Sequence, residues 1–203
     1  MYFSEAISYY TYISKMNIVN VGYHSTNYYA LDINEGKLLI DCGWPGTLPQ
    51  FTAELKRKGI ALNEIKYVLV THFHPDHAGL VQEFKNRAAK LVLMESQVGY
   101  IAPLNNQIKK KYIPYTELLE DDNINLKFEE SRNFLGSLGI TGEIISTPGH
   151  SDDSVTLILD EGFAFTGDLR SRFIVPEDDL VTRGSWDKIY QHRIKKVYPA
   201  HGS

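Results

Sequence analysis

With 203 residues, 43% of them apolar, the chain is long enough to bury the core of one domain spanning 1–203, and two full domains are not expected. A formal charge of −4 and a pI near 6.0 exclude the electrostatic footprint of a protein that binds nucleic acid or an anionic membrane surface. Cys42 is the only cysteine, which excludes an internal disulfide and a cysteine-built zinc site, and the first twenty residues hold no uninterrupted apolar signal core, so a cytoplasmic protein outside the membrane is expected.

Short β-prone segments at 17–21, 28–33 and 37–40 are separated by Gly22 and by the turn formers Asn34, Glu35 and Gly36, which predicts consecutive antiparallel strands. The third runs into Asp41-Cys42-Gly43-Trp44-Pro45-Gly46, a loop at a strand end that is expected to border a site, with Cys42 read as a small buried hydrophobe. Leu48, Phe51 and Leu55 recur at helical spacing, and Gly59 stops that helix after its basic last turn. A buried strand through Tyr67-Val68-Leu69-Val70 follows, and beyond it Leu80, Val81, Phe84 and Ala88 predict a helix. Residues 90–94 read as a strand and 95–119 as helical with a break at Pro114, where Lys109, Lys110 and Lys111 form a solvated face. Strands are then expected at 125–128, 140–146, 155–159 and 163–166, the last two as a hairpin around Asp160-Glu161-Gly162. Ser185 is expected to cap a short helix carrying Trp186 and Ile189, and a final strand at 194–198 ends in Pro199-Ala200-His201-Gly202. Alternating strands and helices predict an α/β architecture of layered sheets.

The chemistry concentrates between the strand ending at Val70 and the helix after it, where His72, His74, Asp76 and His77 supply four potential metal ligands within six positions. On extended backbone His72 and His74 project to one side and can share an ion, while Pro75 starts a turn that carries Asp76 and His77 toward a second. His150, Asp168 and His201 each follow an apolar strand and sit beside a glycine, so four strand ends offer ligands. The pattern suits two divalent ions, zinc by default with iron or manganese also compatible, which lower the pKa of bound water and polarise a carbonyl or phosphoryl oxygen. Asp76 is the candidate catalytic residue because its carboxylate can also orient that water.

The run from His72 to His77, the Pro-Gly-His at His150, the Thr-Gly-Asp at Asp168 and the Pro-Ala-His-Gly at His201 resemble the metallo-β-lactamase superfamily over nearly the whole chain. That resemblance implies an αββα sandwich of two mixed sheets flanked by helices, with a binuclear centre at one sheet edge. It implies His72, His74 and His150 around the first metal, Asp76, His77 and His201 around the second, and Asp168 bridging both. The pattern is most similar to glyoxalase II-like hydrolases, although the chain stops two residues after His201, where their glutathione-binding helical domain would follow. Asp168 stands where the penicillin-cleaving branches carry Cys or Ser, which points away from antibiotics, and no basic arm points to RNA. The expected activity is attack on a small ester, thioester or lactone carbonyl by a metal-bridging hydroxide, with a small-molecule substrate as partner. An iron-dependent sulfur dioxygenase-like oxidoreductase, a phosphodiesterase on a small substrate and a binding module without turnover are the alternatives. Asn27, Tyr28, His24, Trp44 and Arg170 are candidates for the wall of the site.

Overall fold

In the computed structural model, which describes residues 16–111 and 114–202, strands and helices alternate in chain order. They are β1 (Ile18–Asn20), β2 (Tyr29–Ile33), β3 (Gly36–Ile40), α1 (Leu48–Arg57), β4 (Ile65–Leu69), α2 (Pro75–Ala78), α3 (Val81–Lys85), β5 (Lys90–Met94), α4 (Ile101–Lys109) and β6 (Ile124–Leu126). The second half comprises α5 (Ser131–Ser137), β7 (Gly142–Ser146), β8 (Val155–Leu159), β9 (Phe163–Gly167), α6 (Leu180–Tyr190) and β10 (Lys196–Pro199).

The first six strands form one mixed sheet in sequence order, antiparallel from β1 to β3 and parallel from β3 to β6. The other four form a second sheet in the order β10-β9-β8-β7, antiparallel except for the parallel pair β9–β10. Alternation along each strand separates the layers. Val68 packs outward with Leu39, Phe51, Leu55 and Phe84 beneath the helices, whereas Leu38, Ile40 and Leu69 pack inward against Leu157, Leu159 and Phe165 of the second sheet. On the far side of that sheet Ile158 and Ala164 meet Trp186 and Ile189 of α6. The result is the expected αββα sandwich, with apolar residues on both faces of its central strands.

Strand direction sets the position of the site. β3 and β4 run the same way, as do β7, β9 and β10, so the loops that follow them gather at common sheet edges. The two edges are joined by the Val155 amide donating to the Thr71 carbonyl at 2.8 Å, and by Gly167, whose missing Cβ would lie 2.4 Å from Thr71 Oγ1. Gly167 has φ of +55°, so a side chain there meets both a steric and a backbone cost.

Five elements depart from the sequence expectation. The 95–119 stretch is helical over α4, with a 3-10 turn at Glu95–Gln97 before it, because Gly99 takes φ of +94°. Residues 115–119 are instead fastened to α4 by Asn105, which donates to the Leu118 carbonyl at 2.9 Å and accepts from the Leu118 amide and the Tyr115 hydroxyl. Strand β6 stops at Leu126, a 3-10 turn follows at Phe128–Glu130, and α5 occupies a stretch in which no helix was expected. The helix after the His72–His77 cluster is split into α2 and α3, with Ala88 exposed in a turn at φ of +67° while Ala89 fills the core. Finally, Ser185 does not cap α6. That helix starts at Leu180 with the Asp179 carboxylate accepting from the Thr182 amide at 3.0 Å, while Ser185, inside the helix, donates to the Pro148 carbonyl at 2.7 Å. Among the described residues, no helix is long and apolar enough to cross a membrane.

Candidate metal centre

β4 delivers His72 and His74 through a tight turn. The His74 amide donates to the His72 carbonyl at 3.0 Å, and Phe73 between them is driven into the outer core, so both imidazoles face out of the sheet edge with ring centroids 4.4 Å apart. Pro75, with its φ preset for helix, opens α2 and places Asp76 and His77 in its single turn. His150 arrives from the loop after β7, which α6 braces from behind through Ser185 and through Gly149, where a Cβ would sit 2.4 Å from Thr182 Oγ1. Asp168 and His201 follow β9 and β10.

All seven residues singled out in the sequence come together, in two groups. His72, His74 and His150 form one and Asp76, His77, Asp168 and His201 the other, the donor atoms of each lying within 4.8 Å of one another. Asp168 stands between them. Its Oδ2 is 3.5 Å from His150 Nε2 and 3.9 Å from His72 Nε2, while its Oδ1 is 3.4 Å from His77 Nε2 and 3.3 Å from His201 Nε2. Asp76 Oδ2 is 3.2 Å from His201 Nε2 and 3.4 Å from His77 Nε2.

These side chains are held from behind with one nitrogen left over. His77 Nδ1 meets Asp41 Oδ2 at 2.8 Å, and His201 Nδ1 donates to the Ser25 carbonyl at 2.8 Å. Thr71 Oγ1 donates to Asp41 Oδ2 at 2.8 Å and is therefore free to accept from His72 Nδ1 at 3.2 Å. Each bond turns the Nε2 lone pair toward the cluster, the arrangement that metal-ligating histidines use. His77 Nε2 and Asp168 Oδ1 are buried without a hydrogen-bond partner, an arrangement that is costly unless an ion satisfies them. The donor set of imidazoles and carboxylates, with the buried Cys42 thiol turned to the His77 carbonyl and outside both groups, fits divalent transition metals.

Electrostatics separates the members. Burial and the neighbouring imidazoles hold His72 well below the usual histidine range, and burial also lowers His150. Burial opposes protonation of His77 too, but the carboxylates of Asp41, Asp168 and Asp76 outweigh it and raise His77 well above that range. Although burial works against their charge, the His77 imidazole holds Asp76 at about 2 and keeps Asp168 below its ordinary value.

Sequence reasoning left several supporting residues unassigned. Asp41, on the loop expected to border the site, is 2% exposed and also accepts from the Thr71 amide, so it anchors His72 and His77 together. Its φ of +58° is unusual for a residue with a side chain and marks a strained, site-building position. Buried Asp153 accepts from the Phe73 amide at 2.7 Å and from Ser151 Oγ, linking the His72–His74 turn to the His150 loop. An acidic residue ending an apolar strand was the available signal for Asp41, whereas Asp153 reads like any turn aspartate.

Among the wall candidates, Asn27 donates to the carbonyls of Pro199 and Gly202 and so holds the His201 loop. Tyr28 packs in the core beside Phe51, and His24 and Trp44 are exposed. A groove of about 510 Å³ opens from His150, Asp168 and His201 and is walled by Arg170 to Ile174, Trp186 and Tyr190. Arg170 is thus part of a wall, as expected, but Trp44 and the rest of the 41–46 loop do not line this groove.

Comparison with known proteins agrees with this geometry. The family model of the metallo-beta-lactamase superfamily matches residues 21–201. A probable metallo-hydrolase of Methanocaldococcus jannaschii is 31% identical, the match covering 94% of this chain and 92% of that protein. A beta-lactamase-like protein 2 homolog of Drosophila melanogaster is 29% identical over 88% of this chain, which spans only 59% of that relative's length. Among solved structures, a metallo-beta-lactamase family protein from Thermus thermophilus superposes with a TM-score of 0.69 at 20% identity, over 93% of this chain and 73% of that one. By family match, fold and the His/Asp cluster alike, the chain belongs to the metallo-beta-lactamase superfamily and is a metal-dependent hydrolase.

Proposed function

We propose that the protein hydrolyses small acyl esters, thioesters or lactones at a binuclear centre, with His72, His74, His150 and Asp168 around one ion and Asp76, His77, His201 and Asp168 around the other. The observation that carries this reading is the division of Asp168, one carboxylate oxygen toward each group of imidazoles. When bound, two zinc ions, or iron or manganese, supply a lowered pKa for coordinated water and polarisation of the substrate carbonyl.

The chain's own residues do the rest. Asp76, whose carboxylate stands between His77 and His201 at the edge of the cluster, accepts a hydrogen bond from the attacking water and orients it. It takes the proton as the carbonyl carbon is attacked and passes it to the alkoxide or thiolate that leaves when the acyl bond breaks. Asp41 and Ser25 keep His77 and His201 in the tautomer that faces the cluster. The exclusion of antibiotics and of nucleic acid belongs to the same reading, as does a cytoplasmic location.

Elemental analysis of purified, metal-supplemented protein, paired with a panel of esters, thioesters, lactones and phosphodiesters, tests it. Two transition-metal ions per chain with turnover of a carbonyl substrate are expected. At most one tightly bound metal, or cleavage confined to phosphodiesters, would overturn the proposal.

A further inference from the structure

The groove beside the metal centre is larger and more apolar than a two-carbon acyl group requires. Its volume of about 510 Å³ lies within the range of sites that enclose a drug-sized ligand. Its floor is aromatic, the rings of Trp186 and Tyr190 stacking at a centroid distance of 5.6 Å. Along one side runs the strap from Arg170 to Ile174. Its root is fixed by Trp186 Nε1 donating to the Arg170 carbonyl at 2.8 Å, and its middle by the Arg172 guanidinium 4.6 Å above the Tyr190 ring. Two large apolar side chains on this anchored strap are nevertheless left in water, Phe173 at 92% and Ile174 at 70% exposure, and both line the groove. Adjacent exposed apolar residues at a pocket rim mark a binding surface rather than a packing residue left over.

We propose that this groove binds an aromatic or extended aliphatic acyl group of the substrate, with Phe173 and Ile174 as the residues that select it. The inference rests on the acyl-hydrolase reading above. Continuity decides the occupant: the same cavity that holds Phe173 and Ile174 is bounded at its other end by His150, Asp168 and His201, so a carbonyl at the metal centre sends its acyl chain along the apolar wall. A polyanion is disfavoured as occupant, because Arg170 and Arg172 are the only lysine or arginine residues lining the groove and the Arg172 guanidinium already lies over the Tyr190 ring.

The test uses the metal-loaded protein, a p-nitrophenyl ester series from acetate to octanoate, and 2-naphthoate as a probe whose binding is read by calorimetry without turnover. In the parent, kcat/KM is expected to rise at least about tenfold from acetate to octanoate, since each methylene buried in a pocket adds selectivity. In the double variant Phe173→Ala/Ile174→Ala the octanoate-to-acetate ratio is expected to fall about tenfold and naphthoate to bind at least about fivefold more weakly. Val98→Ala, which removes a 63% exposed apolar residue that does not line the groove, changes neither. Unchanged chain-length preference and naphthoate affinity in the double variant would overturn the proposal, as would displacement of naphthoate by a single-stranded oligonucleotide with no preference among esters. Absence of all ester turnover, together with naphthoate binding that is lost in the double variant, would remove the hydrolase reading and uphold the groove as an apolar ligand site.

Discussion

The two halves of the metal centre are built from different materials. His72, His74 and His150 make a cluster of imidazoles that borrows a carboxylate from Asp168, and burial favours the neutral rings of His72 and His150 that a metal needs. Asp76, His77, Asp168 and His201 make a cluster that already contains negative charge, with Asp41 a further buried carboxylate behind it. The first is therefore ready to ligate but weakly attracts a cation, while the second attracts a cation but holds a proton in its place. The halves therefore depend on each other through Asp168, whose two carboxylate oxygens face one group each.

The largest expected effect follows from that dependence. Asp168→Ala removes the carboxylate from both halves, so metal content falls in both and activity drops by roughly a hundredfold or more, since each ion's contribution to the transition state is several kcal/mol. Asp160→Ala is the control. Asp160 pairs with Arg132 on the surface at 2.9 Å, and its loss is expected to cost ~1 kcal/mol of stability or less with activity retained. Equal metal content in Asp168→Ala and the parent would break the comparison.

A smaller and more selective loss is expected from Asp41→Asn. Asparagine tolerates the left-handed backbone at φ of +58° and keeps the volume, but it removes the buried charge facing His77 and Thr71. Metal affinity should fall by about 10- to 100-fold, as for other second-layer partners of ligating histidines, and more in the His77 group than in the His74 group. Competition with a chelator while both ions are followed separately would measure this.

Proton linkage gives the smallest signal and sharpens the comparison. In the metal-free protein His77 has a folded pKa raised above the unfolded value near 6.5, so its charged contacts stabilise the fold fully below that pH and are lost as pH rises through the folded value. His72 behaves in the opposite sense: its folded pKa is depressed, so its contribution is present above 6.5 and is lost as pH falls toward the folded value. At pH 7 a metal taken up by His77 should accordingly displace the proton that ring carries, whereas His72 has none to release. Calorimetric titrations in buffers of different ionisation enthalpy read this directly, and equal proton release by both ions would contradict it.

What was legible in the sequence was whatever depended on neighbours along the chain. Four of the seven cluster residues stood out by falling within six positions and the other three because each follows an apolar strand beside a glycine, and the alternation of strands with helices along the chain carried the layered sheets. What was hidden depended on partners far away in sequence or on broken periodicity. Thr71 and His77 are 30 and 36 residues from the Asp41 that orders them. The start of α6 was masked because Leu180 and Val181 are apolar yet exposed, so the pattern began to look amphipathic only at Ser185 and Trp186. Similarly, Asn105 gives the 115–119 segment its hydrogen bonds without a helix, which no periodicity reveals.

The fastening of the His201 loop also orders events in time. His201 reaches the cluster only when the loop after β10 is stitched to the first hairpin, through the Asn27 amide on the Ala200 carbonyl at 2.7 Å and His201 Nδ1 on the Ser25 carbonyl 176 residues away. A nascent chain emerging from the ribosome can bring His72, His74 and His150 together well before that seam exists, yet the other half must wait for one of the longest loop closures in the molecule. Completion of the Asp76, His77, Asp168 and His201 group is therefore a late event of folding, and a metal held there would certify that the two ends of the described fold have met.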